Sequence, residues 1–129
     1  IFLDLYNDFE NYINHRNNTS TTRKEDLTHR FYTLMMDNYR EHKEVIFYAD
    51  KLHVSSKYLS EVVKETSGKS PKDWIIDYSL LEIKELLKNS SLNIQEITIR
   101  TKFLNQSALG RFFKRHTNMS PSEYRESTY

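Results

Sequence analysis

Residues 112–125 read FFKRHTNMSPSEYR, and residues 62–75, fifty positions earlier, read VVKETSGKSPKDWI. The two phrases share chemistry more than letters. Val62 and Val63 stand where Phe112 and Phe113 stand, Lys64 matches Lys114, and Ser67 matches Thr117. Gly68 matches Asn118, Ser70-Pro71 matches Ser120-Pro121, Asp73 matches Glu123, and Trp74 matches Tyr124. Gly and Asn most readily take the left-handed conformation just past a helix end. Ser followed by Pro is an N-cap followed by a first-turn residue that needs no donor. Glu123, three after Ser120, completes a capping box, and Met119 and Tyr124 stand at the two ends of a hydrophobic staple. Each phrase therefore ends one helix, turns tightly and begins another. Two copies are too few for a solenoid, so the reading is a duplicated module.

The composition agrees. The chain has 129 residues, of which only two are Gly and two Pro, while 29% are charged. That suits helices and leaves little material for hairpins. The absence of cysteine excludes disulfides and Cys-based zinc or redox sites. No apolar run approaches the roughly 18 residues that a membrane span needs, and no signal peptide is visible. The first residue is Ile and not Met, so a fragment of a longer protein is expected. Net charge is only +1, but residues 98–129 hold six Lys or Arg against two Asp or Glu, so the basic excess gathers at the C-terminal end.

Periodicity orders the rest. Residues 1–15 place Phe2, Leu5, Tyr6, Phe9, Tyr12 and Ile13 at helical spacing. The polar run 15–23 reads as a loop, and Asp26 to His42 as a second helix carrying Leu27, Phe31, Leu34, Met35 and Tyr39. Short helices are expected over 45–52 and 94–101, and longer ones over 56–67, 71–88 and 106–117. A last short helix is expected over 121–126. Ser55, Asn93 and Asn105 are sound N-caps. Val54 and Phe103 plug the two breaks, and Ala49 lies where the first helix pair should cross closely. The repeat offset is 49 residues before the break and 50 after it, so the second break carries one extra residue. Each copy is thus a short helix, a break and a longer helix, the helix-turn-helix outline.

At this point FYADKLHVSSKYLSEVVKETSGKSPKDWI (47–75) and NIQEITIRTKFLNQSALGRFFKRHTNMSPSEYR (93–125) resemble the DNA-binding region of the AraC/XylS family of bacterial transcription regulators. The family pattern, two helix-turn-helix units joined by one long helix, closes on F-K, a few residues, then G-x-S-P-x-x-Y-R. Here those are Phe113-Lys114, Asn118, Ser120, Pro121, Tyr124 and Arg125. The chain departs from it at Thr98 and Ile83 for a usual Ala, Lys102 and Asn118 for a usual Gly, and Ser79 for a usual Arg. A left-handed Lys102 would cost on the order of 1 kcal/mol.

The resemblance implies an all-α fold of two homeodomain-like three-helix units. Its segments are a first unit (45–71), a linker helix (72–89) and a second unit (90–129). The N-terminal helical connector segment (1–44) lies outside the recognised pattern, and three roles stand open for it: packing on the first unit, pairing with another chain, or connecting to an upstream sensor domain. The resemblance also implies a cytoplasmic regulator that binds double-stranded operator or promoter DNA, works with RNA polymerase and carries a sensor domain upstream of this fragment. In such units the second helix enters the major groove with its N-terminal residues on base edges. Ser56, Lys57, Ser60 and Glu61 in the first unit, and Gln106, Ser107 and Arg111 in the second, are then the base-contacting set. Lys64, Lys114 and Arg115 contact the backbone. Arg can fork to guanine, Gln to adenine, and Glu can accept from cytosine. Gly110 weakens its helix but lets the backbone approach DNA closely. About 17 linker residues at 1.5 Å each make roughly 26 Å, against about 34 Å between successive major grooves on one face.

Plainer readings stand beside these. Positive charge at Lys114, Arg115 and His116 is favourable at a helix C-terminus anyway. The Phe112-Phe113 pair, Trp74 and Tyr124 are packing residues, and Asp73 and Glu123 are helix-start residues. The five His (15, 29, 42, 53, 116) show no i, i+4 pairing and read as surface or turn residues, with no metal or other cofactor expected. No enzyme motif accompanies Glu82 and Glu85. The rival function is a helical protein-interaction module that keeps the fold without binding DNA, which the low net charge and Glu61 favour and which Gln106, Arg111 and the C-terminal basic excess oppose.

Overall fold

The computed structural model describes residues 22–128. Among them are seven helices and no strand: α1 Arg23–Asn38, α2 Val45–Lys51, α3 Ser56–Ser67, α4 Pro71–Asn89, α5 Ile94–Arg100, α6 Gln106–Thr117 and α7 Pro121–Glu126. The helix expected over residues 1–15 lies outside the described residues. Both ends of one helix are corrected. The helix expected over 26–42 begins three residues earlier and ends four earlier. Thr22 caps it, accepting from Glu25 N–H at 3.0 Å while the Glu25 carboxylate accepts from Thr22 N–H at 3.0 Å. Thr22 lies in the stretch 15–23 that reads as polar loop and Glu25 just outside the expected helix, so the capping box was hidden by its surroundings.

The chain divides into two compact units, one ending at Tyr78 and the other beginning at Ser79, a boundary inside the continuous helix α4. In the first, α1 lies along α3. Leu27, Phe31 and Met35 of α1 and Leu59, Val62 and Val63 of α3 are all buried, with Tyr48 and Ala49 of α2. The Phe31 and Tyr48 rings meet edge to face at 5.5 Å. Buried Thr28 hydrogen-bonds Thr66 across the helix pair. Residues 23–38, outside the recognised repeat, thus belong to the first unit's core. The start of α4 closes this unit. Trp74 is buried and donates through Nε1 to Ser67 Oγ at 3.0 Å. Tyr32 and Tyr78 hydroxyls are 2.6 Å apart.

In the second unit Ile83 and Leu87 of α4 pack with Ile97, Leu109, Phe113 and Tyr124. Ile83, where the family usually has Ala, is a fully buried member of this core. Met119 packs against the same cluster that holds Tyr124, as a staple requires. The other end of α4 is capped by the last helix. Arg125 donates through Nε to Leu87 O at 2.9 Å and through Nη2 to Leu86 O at 3.3 Å. A cation on helix-terminal carbonyls satisfies acceptors that have no partner within the helix and opposes the negative end of the dipole.

Candidate nucleic-acid interface

Both units build the same turn, bond for bond. In the first, His53 N–H donates to Asp50 O at 3.2 Å and Val54 N–H to Ala49 O at 3.0 Å; in the second, Lys102 N–H donates to Ile99 O at 3.2 Å and Phe103 N–H to Thr98 O at 3.1 Å. This is the Schellman pattern, whose middle residue must be left-handed. His53 has φ 59 and Lys102 φ 63, so Lys102 does take the left-handed conformation whose cost was considered above, and His53 takes it too. Pairing the copies puts His53 opposite Lys102, which is the signal that could have found it. Ala49 is fully buried where the first pair crosses; Thr98, its counterpart, is also buried and donates its hydroxyl to Ile94 O at 2.8 Å, so the substitution leaves no unpartnered oxygen.

The turns then launch the second helices. Ser55 accepts from Tyr58 N–H at 3.0 Å to start α3, and Asn105 from Ala108 N–H at 2.8 Å to start α6. On α3, Leu59, Val62 and Val63 are buried, while Lys57, Glu61 and Lys64 are exposed and Ser60 is half-buried. On α6, Leu109 and Phe113 are buried and Phe112 is half-buried, while Gln106, Ser107, Arg111, Lys114 and Arg115 are exposed. A Cβ built on Gly110 meets nothing within 4 Å, so the absent side chain leaves open space on the helix.

Two expected site residues sit differently from a bare exposed face. Ser56 is half-buried, and its hydroxyl oxygen is enclosed without a hydrogen-bond partner. The Cα–Cβ bond tilts toward the helix N-terminus, which at the first helical position aims the side chain back at the turn. Gln106 donates through Nε2 to Gln95 Oε1 of α5 at 2.8 Å. That bond holds its amide in place, and eleven residues of separation hid it from a reading of local pattern. The two faces also differ in charge. The exposed cations Lys57 and Lys64 on α3 share that helix with Glu61 and Glu65, whereas Arg111, Lys114 and Arg115 on α6 have no carboxylate on theirs.

A family model described as a helix-turn-helix domain matches residues 48–127. The uncharacterized HTH-type transcriptional regulator YobQ of Bacillus subtilis (strain 168) is 32% identical over 77 residues, covering 60% of this chain and 32% of that protein. The Msm operon regulatory protein of Streptococcus mutans is 31% identical over 78 residues, 60% of this chain and 28% of that protein. The chain thus spans about a third of the length of such curated relatives. Among solved structures, the C-terminal domain of AraT, a response regulator from Geobacillus stearothermophilus, superposes with a TM-score of 0.72 at 25% identity, over 83% of this chain and 89% of that one. The DNA-binding domain of AdpA, solved in complex with a target DNA, shares the fold with a TM-score of 0.65 at 23% identity, over 76% of this chain and 88% of that one.

Proposed function

The chain belongs to the AraC-type helix-turn-helix family, and from that membership we propose that it binds double-stranded DNA sequence-specifically as part of a bacterial transcription regulator. The observation that carries this is the exposed polar face on α3 and again on α6, each backed by a buried apolar face and begun by a side-chain N-cap. Each of the two helices enters a major groove with its N-terminal residues on base edges. Lys57, Ser60 and Glu61 read bases in one groove; Gln106, Ser107 and Arg111 read them in the other. Ser56 belongs to the same set, but its enclosed hydroxyl is less available to a base edge than the others. Lys64, Lys114 and Arg115 hold phosphates, which position the protein without reading sequence. The segments 45–71 and 90–129 carry the two reading helices, each unit is completed by one end of α4, and α1 completes the first unit's core while the chain before it leads to an upstream sensor domain. The whole protein acts in the cytoplasm through RNA polymerase and catalyses no reaction of its own.

The test is fluorescence anisotropy against a duplex selected from a random pool and against its scrambled version, at several salt concentrations. Binding should be tighter to the selected duplex and weaken with salt, with a log–log slope near about −0.9 for each phosphate contact. A protein-interaction module is the second reading, favoured by the balanced charge of α3. Its signature is the absence of salt-dependent binding to any duplex.

A further inference from the structure

Leu104 is the most exposed large hydrophobic side chain among the described residues, at 90%. It is also the extra residue by which the second turn exceeds the first. In the first unit Val54 does two jobs. It is the residue after the left-handed position, and it directly precedes the N-cap Ser55, where a hydrophobic side chain ordinarily staples to the fourth helical residue. The second unit divides these jobs. Phe103 takes the inward one and packs against the core, and Leu104 precedes the N-cap Asn105. The residue it would staple to, Leu109, is fully buried, yet Leu104 itself stands in solvent. Leu104 therefore contributes almost no buried area to this fold.

Its place decides what it can meet. It adjoins the N-terminal end of α6, beside exposed Gln106 and Ser107, and that is the end which approaches base edges in a helix-turn-helix complex. The apolar group on the major-groove edge of DNA is the 5-methyl of thymine. We propose that Leu104 makes apolar contact with a thymine methyl and specifies thymine at one position of the second half-site, an inference that rests on the DNA-binding reading above.

The experiment replaces each thymine of the selected duplex in turn by deoxyuridine, which pairs identically but lacks the methyl. Affinity is measured for the unsubstituted protein, Leu104→Ala and Leu104→Ser. At one position deoxyuridine should weaken the unsubstituted protein about fourfold, the equivalent of one buried methyl group. Both variants should lose that discrimination while keeping salt-dependent binding, and circular dichroism should show them folded, since the side chain is exposed. Equal sensitivity to deoxyuridine in all three proteins, or none in any, overturns the thymine contact and leaves DNA binding standing. Loss of all duplex binding by the unsubstituted protein overturns both.

Discussion

The two helix-turn-helix units share their turn hydrogen bonds and differ by one inserted residue and by the charge of the second helix. The backbone pattern survives replacement of Ala49 by Thr98, of His53 by Lys102 and of Val54 by Phe103, because it asks only for a left-handed residue followed by an apolar plug. The solvent face carries no such demand, and there the copies diverge. The α3 helix balances two Lys against two Glu, and α6 carries Arg111, Lys114 and Arg115 with no Glu or Asp. Turn geometry is set by sterics and backbone bonds, whereas a surface charge alters stability little and binding strongly. On the DNA-binding reading proposed above, the second unit then supplies most of the attraction for phosphate.

The comparison breaks most visibly at the core. Phe113, fully buried in the second unit, stands where Val63 stands in the first. Phe113→Ala should cost about 3–5 kcal/mol, read as a lower urea midpoint by far-ultraviolet circular dichroism. Trp74, the only tryptophan, lies in the first unit and reports on it alone. If its fluorescence midpoint falls as far as the circular-dichroism midpoint, the units unfold as one body and the comparison of separate modules fails.

Binding offers the next largest effect. Arg111→Ala should cost about 1–3 kcal/mol at the selected duplex and relax preference at one base pair. A uniform loss on every sequence would make Arg111 a phosphate contact. Lys114→Ala should flatten the salt slope by about 1 and weaken selected and scrambled duplexes alike, and Lys114→Arg should largely preserve affinity. Lys64→Ala in the first unit should change the slope less, because Glu61 stands three residues before it on the same helix face. Equal slopes for the two Lys variants would remove the proposed difference between the units.

Smaller effects sharpen the backbone side. Gly68 has φ 87 and its missing Cβ would meet nothing within 4 Å, so Gly68→Ala should cost about 1 kcal/mol through backbone strain alone. Lys102→Gly relieves the same strain at φ 63 and should stabilise the second unit by up to about 1 kcal/mol. His53→Gly should do likewise in the first, and a loss of stability in either would mean that the side chain contributes more than its backbone costs. Thermal denaturation decides both.

The smallest effect concerns helix α7. The Ser120 backbone N–H bonded to Glu123 holds that carboxyl below the usual range, with help from the Ser120 hydroxyl and, less, from Lys114. A depressed folded value means a contribution present above the unfolded pKa and lost as pH falls through the lowered one. Carbon-13 titration by NMR should place Glu123 below an ordinary glutamate, and Lys114→Ala should move it slightly up. A value in the ordinary range would mean that the capping box does not persist in solution.

Much of this was legible because local rules carry it. Ser55, Asn93, Asn105 and Ser120 all cap where their spacing from the next apolar run places them. Gly68 and Asn118 end their helices in the left-handed region, and the apolar faces of α3 and α6 face inward as their periodicity requires. Such features depend on residues within a few positions of one another, where backbone sterics and hydrogen bonds leave few solutions. What sequence by itself determined was therefore the helices, the caps, the duplicated turn and the identity of the buried stripes. Only the tertiary structure decided that α1 packs on α3 through Thr28 and Thr66, that Gln95 holds Gln106, that Arg125 caps the far end of α4, that the Ser56 hydroxyl is enclosed and that Leu104 is left in solvent. Each of these depends on which side chains from separate elements meet, or on which groups packing closes off from water, and no spacing along the chain records either.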